Sequence, residues 1–287
     1  MKYNDQARLD PSQMGGGGGG RGGGKVALGG GAGVVVLLLA LLFGVNPGDI
    51  LGSAPSDQSG DGTTPFAQCT KGSDISQDRE CRFVAYTNSI QAYWSGAAEN
   101  YKKIKVNTFT GQISTACGTA SSAVGPFYCP GDTSVYLDLS FFDQLTTELG
   151  AKGGDAAEAY VLAHEFGHHI QNLTGAMRKV QSSGQGSGPT SPGVRLELQA
   201  DCYAGVWFQH ATTDPKSPIA DVTQDDLDRA VDAAAAVGDD RIQEKTQGQV
   251  RPESWTHGSA ANRQKWLNQG FRTGDPNQCD TFAADAL

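Results

Sequence analysis

Residues 155–174 read DAAEAYVLAHEFGHHIQNLT, and this stretch decides the fold. Its alanines and straight side chains favour a helix from Asp155 to about Leu173, with Asp155 as the cap and Gly175 as the stop. On a helix, His164 and His168 stand four residues apart. Both imidazoles then project from one face, and one metal ion can sit between them. Glu165 lies beside the first and can reach a water on that metal, where a carboxylate takes a proton and passes it to a leaving amine. The H-E-x-x-H pattern points to one Zn²⁺ and to hydrolysis, with His164 and His168 as ligands and Glu165 as general base.

A hydrolytic zinc site takes three protein ligands and leaves one position open. The continuation that would supply a third histidine from the same segment fails, because Gln171 and Thr174 stand where Gly and His are required. A second helix offers the alternative. Ser191-Pro192 opens it, with Pro at the first position, and it runs to about His210. Within it, Glu197 and Asp201 share one face. We expect Glu197 on the metal and Asp201 accepting from a ligand imidazole N–H. The assignment of Asp201 as third ligand stays open, as does a solvated acidic face that binds nothing.

Around these helices the pattern is mixed. Apolar positions from Phe83 to Tyr101 repeat at helical spacing within Arg82–Tyr101, Lys103–Thr110 alternates as a strand, and Ser134–Leu139 reads as another. Gly184–Gly193 is a loop, and Asp225–Val237 and Ser259–Gly270 read as helices. The fold class is therefore α+β, a small sheet with the active-site helices packed on it. Of the remaining histidines, His169 points about 100° away from His168, and His210 ends its helix, where a cation suits the dipole. His257 precedes a helix that carries Arg263, and either could bind the oxyanion of a tetrahedral intermediate.

The N-terminal quarter reads differently. Thirteen of the 39 glycines lie between Gly15 and Gly33, and Val26–Val45 carries no charge. About 20 such residues can cross a bilayer as a helix. Lys2, Arg8, Arg21 and Lys25 precede the run, and no Lys or Arg follows until Lys71. The expected organisation is a cytoplasmic Gly-rich leader (1–25), a single transmembrane anchor (26–45), a linker (46–68) and an extracytoplasmic domain (69–287); a cleaved signal peptide is the alternative. All six cysteines follow the run, which suits disulfides in an exported domain. Local loops make Cys69–Cys81 and Cys117–Cys129 the simplest pairs, leaving Cys202–Cys279 to tie the C-terminal tail to a helix. With 22 Lys+Arg against 31 Asp+Glu and a net charge of −9, there is no basic stripe for nucleic acid.

The chain resembles gluzincin metallopeptidases of the H-E-x-x-H…E-x-x-A-D type through His164–His168 and Glu197–Asp201. Thr256-His257 with Arg263 is similar to the T-H-x₅-R element of their membrane-associated members. More closely, it resembles the bacterial "putative neutral zinc metallopeptidase" family (YpfJ-like). The shared stretches are the Gly-rich leader and apolar run, Ala116–Cys129, Val135–Asp138, His164–Gln171, Arg195–Trp207 and Trp255–Arg263. The resemblance implies a zincin-like fold with one zinc ion.

Two functions follow. The first is a membrane-anchored extracytoplasmic zinc endopeptidase acting on peptide or protein substrates, with a strand such as Ser134–Leu139 aligning the substrate by edge pairing. The second is a zinc-stabilised binding or scaffold module with little hydrolytic activity. Glu165 argues for the first, because a structural metal has no use for a base and usually takes four protein ligands.

Overall fold

In the computed structural model, which describes residues 1–16, 66–184, 186–283 and 285–287, the chain opens with two short strands, β1 (Lys2–Tyr3) and β2 (Met14–Gly16). Residues 1–16, which fall within the expected leader, pack against the rest of the body. Met14 is buried, and Asp10 and Asn88 exchange two hydrogen bonds between the segment and the first helix. That helix, α1 (Arg79–Ala97), begins three residues before Arg82 because Asp78 accepts the Glu80 amide and caps it.

A four-stranded sheet lies beside α1. It is built from β2, β3 (Lys105–Thr108), β6 (Phe127–Cys129) and β7 (Ser134–Leu137), in the order β2-β3-β7-β6. The first three run parallel, and β6 runs antiparallel at the edge. Val106, Val135 and Leu137 are fully buried, the core side of strands that alternate. Between β3 and β6, the hairpin β4 (Gln112–Thr115) and β5 (Gly118–Ser121) forms a separate ribbon, tied to β6 by Cys117–Cys129. Phe109, Val124, Phe127 and Tyr136 make a small second core beneath it.

The helices complete the body: α2 (Phe141–Thr147), α3 (Asp155–Thr174), α4 (Ala176–Ser183) and α5 (Pro192–His210). After the strand β8 (Ile219–Asp221), which pairs with β1, come α6 (Gln224–Ala236), α7 (Asp239–Gln247) and α8 (Ala260–Thr273). Gly154 is the cap of α3 and Asp155 its first helical residue, where the carboxylate faces the positive end of the dipole. Ser191 caps α5 through the Val194 amide, and Ser259 caps α8 through the Asn262 amide. The short helices α2, α4 and α7 escape a periodicity reading because two turns show too few repeats.

The main core runs from Phe83, Tyr86 and Trp94 of α1 across Tyr160 and Phe166 of α3 to Trp207 of α5. Three disulfides close the chain in the pairs expected from spacing: Cys69–Cys81, Cys117–Cys129 and Cys202–Cys279. Among the described residues no helix is long and apolar enough to cross a membrane. The anchor expected at 26–45 lies outside them, as does the linker up to residue 65.

Candidate active site

Helices α3 and α5 cross at their smallest side chains. A Cβ on Gly167 would lie 2.9 Å from the Ala200 Cα and 3.0 Å from its carbonyl oxygen. Real Cβ atoms do not approach that closely, so glycine at this position lets the helix backbones touch. The consequence is that Glu197, one turn before Ala200, reaches His168, next to Gly167, and His164, about one turn before it.

The donor atoms of His164, His168 and Glu197 all lie within 4.8 Å of one another, and all three residues are buried. The His164 Nε2 stands 3.2 Å from one Glu197 oxygen, and the His168 Nε2 stands 3.6 Å from the other. A tetrahedral zinc with bonds of about 2.0–2.2 Å separates its ligand atoms by roughly 3.3–3.6 Å. The donor set of two imidazoles and a carboxylate fits that ion in chemistry and in spacing.

Each imidazole is steered from its other nitrogen. The His164 Nδ1 lies 2.8 Å from the Asp201 Oδ1, so Asp201 sits behind His164 and not among the converging donor atoms. Tyr160 donates its hydroxyl to the same Asp201 oxygen at 2.6 Å, and Arg263 donates to it at 2.9 Å. The His168 Nδ1 lies 2.9 Å from the Gln171 Oε1, while the Gln171 amide donates to the Leu196 carbonyl at 2.7 Å and contacts Gln199. Gln199 in turn donates to the Cys279 carbonyl, so the C-terminal disulfide backs this chain of contacts. Gln171, which the sequence marks only as a failure of a histidine continuation, orients the second imidazole.

The charges follow this geometry. Burial works against a proton on His164, but the Asp201 carboxylate and the bonds to Asp201 and Glu197 win and push it up to about 10. Burial raises the Glu197 carboxyl, and the neighbouring His168 and the His164 hydrogen bond more than reverse this, holding it well below the usual range. Glu165 goes the other way. Its burial pushes the carboxyl up, only partly offset by the two histidines.

His257 and Arg263 both line the cleft in front of Glu165, but they are placed differently. The Arg263 Nη2 is given to Asp201 and to the Tyr160 hydroxyl at 3.0 Å, behind His164. His257 has its Nδ1 3.0 Å from the Thr256 hydroxyl and 3.5 Å from the Asp239 carboxylate. Burial would strip its proton, but the hydrogen bond to Asp239 and the charges of Glu197 and Asp239 raise its pKa. Asp239 also accepts the backbone amides of Thr256, His257 and Gly258 at 2.7–2.9 Å, which fixes the loop. Asp239 was missed in the sequence. Its only signal is Gly238-Asp239-Asp240 at a helix start, and its partner lies 18 residues on.

His169 and His210 stand elsewhere. His169 lies 3.0 Å from the Tyr128 hydroxyl and 3.1 Å from the Lys102 carbonyl, and His210 stacks on Tyr93 and contacts the Gly274 carbonyl. The strand Ser134–Leu139 cannot align a substrate by its edge, because β7 is flanked by β3 and β6. The edge strand at the cleft is β6, whose Phe127 lines it. Val124, Phe141, Val161 and Val237 complete its apolar wall.

Comparison with known proteins identifies the family. A match to the family described as "Putative neutral zinc metallopeptidase" covers residues 4–282. "Uncharacterized protein Rv2575" of Mycobacterium tuberculosis (strain H37Rv) is 48% identical over 256 residues, 86% of each chain. "Uncharacterized protein YpfJ" of Escherichia coli (strain K12) is 40% identical over 223 residues, 75% of this chain and 76% of its own. No solved structure matches. The breadth of these matches, across both histidine and carboxylate helices, shows that the chain belongs to the putative neutral zinc metallopeptidase family.

Proposed function

We propose that this protein is a zinc-dependent endopeptidase working outside the cytoplasm. The observation that carries the reading is a buried His164–His168–Glu197 donor set with an additional carboxylate, Glu165, facing a cleft with an apolar wall. A scaffold metal would leave Glu165 without a task, and burying a carboxylate with none is costly. Three disulfides and no free cysteine among the described residues support an oxidising compartment.

His164, His168 and Glu197 would hold the ion, and Asp201 and Gln171 would fix the two imidazole planes. Zinc, when bound, supplies a Lewis acid that makes water more acidic and polarises a peptide carbonyl. Glu165 takes a proton as the water oxygen bonds to the carbonyl carbon. It delivers that proton to the amide nitrogen as the C–N bond breaks. A base raised by burial suits both halves of this transfer, because its pKa moves toward the working pH. His257, on which the Asp239 carboxylate favours a proton, donates to the carbonyl oxygen as charge gathers there. Arg263 acts at one remove: it pairs with Asp201 and so holds His164. An extended substrate pairs along β6, and the apolar wall takes a bulky apolar side chain next to the scissile bond.

The test is Glu165→Gln in the full chain, with metal content and hydrolysis of casein or a quenched peptide measured together. Zinc should stay bound while the rate falls by about 10²-fold or more, and a chelator should silence the parent. A Glu165→Gln protein that matches the parent rate would end the hydrolase reading.

A further inference from the structure

The N-terminal segment is part of the body in four independent ways. Strand β2 adds to the sheet in parallel register, Met14 against Val106 and Gly16 against Thr108. Gln13 accepts the buried Gln91 amide at 2.8 Å. The Tyr3 hydroxyl donates to Asp155 at 2.6 Å, at the first residue of the helix that carries Glu165. Arg8 bridges to Lys71, with the Leu9 amide on the Thr70 carbonyl at 3.0 Å and the Gly72 amide on the Ala7 carbonyl at 2.8 Å. Gly72 is shaped to this contact: a Cβ there would lie 1.8 Å from the Asn4 carbonyl oxygen.

These contacts decide a question of topology. Two strands hydrogen-bonded in one sheet cannot lie on opposite faces of a hydrocarbon layer about 30 Å thick. We infer that residues 1–16 share a compartment with Glu165. On this reading the cytoplasmic N-terminus expected from charge asymmetry gives way to one beside the catalytic helix. A chain trimmed to residues 46–287 would also lose β1 and β2, and with them the Tyr3 bond to Asp155.

The Arg8–Lys71 pair supplies the experiment. Both side chains are exposed. The two flanking backbone bonds make this the closely spaced kind of antiparallel pair, with Cα atoms about 4.5 Å apart, a distance a disulfide can bridge. Full chain carrying Arg8→Cys with Lys71→Cys, and a site-specific protease sequence inserted between residues 52 and 60, is produced in bacterial cells, mildly oxidised and cut. On a non-reducing gel the N-terminal fragment should stay joined to the body and separate on reduction, while each single variant separates at once. Separation of the double variant without reductant overturns the docking. In spheroplasts, a membrane-impermeant maleimide should label Arg8→Cys and Lys71→Cys alike. Labelling of Lys71→Cys with Arg8→Cys labelled only after lysis overturns the shared compartment. Neither readout depends on zinc or peptidase activity, so a failure here leaves the proposed chemistry standing, and the reverse also holds.

Discussion

Asp201→Ala separates the two tasks of the carboxylate behind His164. In the parent, Asp201 has no exposed surface and accepts from His164, Tyr160 and the buried Arg263 through one oxygen. Truncation leaves the Arg263 guanidinium in the interior with its charge unmatched. Breaking a buried pair from one side costs about 3–5 kcal/mol, a large part of a total stability of roughly 5–15 kcal/mol. For a domain of this size each kcal/mol moves the melting point by about 2–4 °C, so the metal-free protein should melt roughly 6–20 °C earlier. Adding Arg263→Met removes the stranded charge and supplies apolar volume, and should restore most of that loss. Zinc affinity should not recover. His164 still lacks the acceptor that fixes its plane, and such partners are worth about 10–100-fold in affinity. Thermal unfolding of metal-free protein, paired with zinc titration against a competing chelator, reads the two effects separately. If Asp201→Ala melts within 2 °C of the parent (about 1 kcal/mol or less), or if the double variant recovers zinc affinity along with stability, the division of labour argued for Asp201 is wrong.

Gln171→Ala should weaken zinc by about 10-fold or more through the His168 plane, with little change in metal-free melting beyond the lost contacts to α5; equal zinc affinity by the same titration would remove Gln171 from the site. Asp239 should shape the acid limb of stability. Burial raises its carboxyl, but the bond and charge of His257 and the backbone amides of Thr256 and His257 bring it below the ordinary value. A carboxylate depressed in the fold contributes stability above its unfolded pKa of about 3.9. That contribution is lost as pH falls through the folded value, so Asp239→Asn should be destabilised at pH 6 and converge on the parent toward pH 2–3; a constant gap in urea midpoint across that range contradicts it. Zinc binding at pH 7 should release protons, because His164 in the metal-free protein holds its proton up to about 10 and must lose it to coordinate. Calorimetry in buffers of different ionisation enthalpy measures this, and a buffer-independent heat would show His164 already neutral.

What the sequence determined by itself was local or periodic. The helical period across residues 155–174 places two imidazoles on one face whatever surrounds them, and the same rule pairs Glu197 with Asp201 on the next helix. The caps at Ser191 and Ser259 and the two short disulfide loops are also written within a few residues of themselves. Tertiary structure decided everything that needs two distant segments to meet. Alternation marks β7 as a strand but not that β3 and β6 flank it, so the edge beside the cleft falls to β6, too short for a periodic signal. His257 and Arg263 look interchangeable as cations near a helix start. Only packing sends one toward the cleft with Asp239 behind it and buries the other against Asp201. The N-terminus shows the limit most plainly. Its Lys and Arg, its glycines and the apolar run are read as address and anchor because composition carries no record of pairing partners. Met14 and Tyr3 find theirs across the glycine tract and the apolar run, on α1 and at the start of α3, because burial and backbone hydrogen bonding reward proximity in space rather than in sequence.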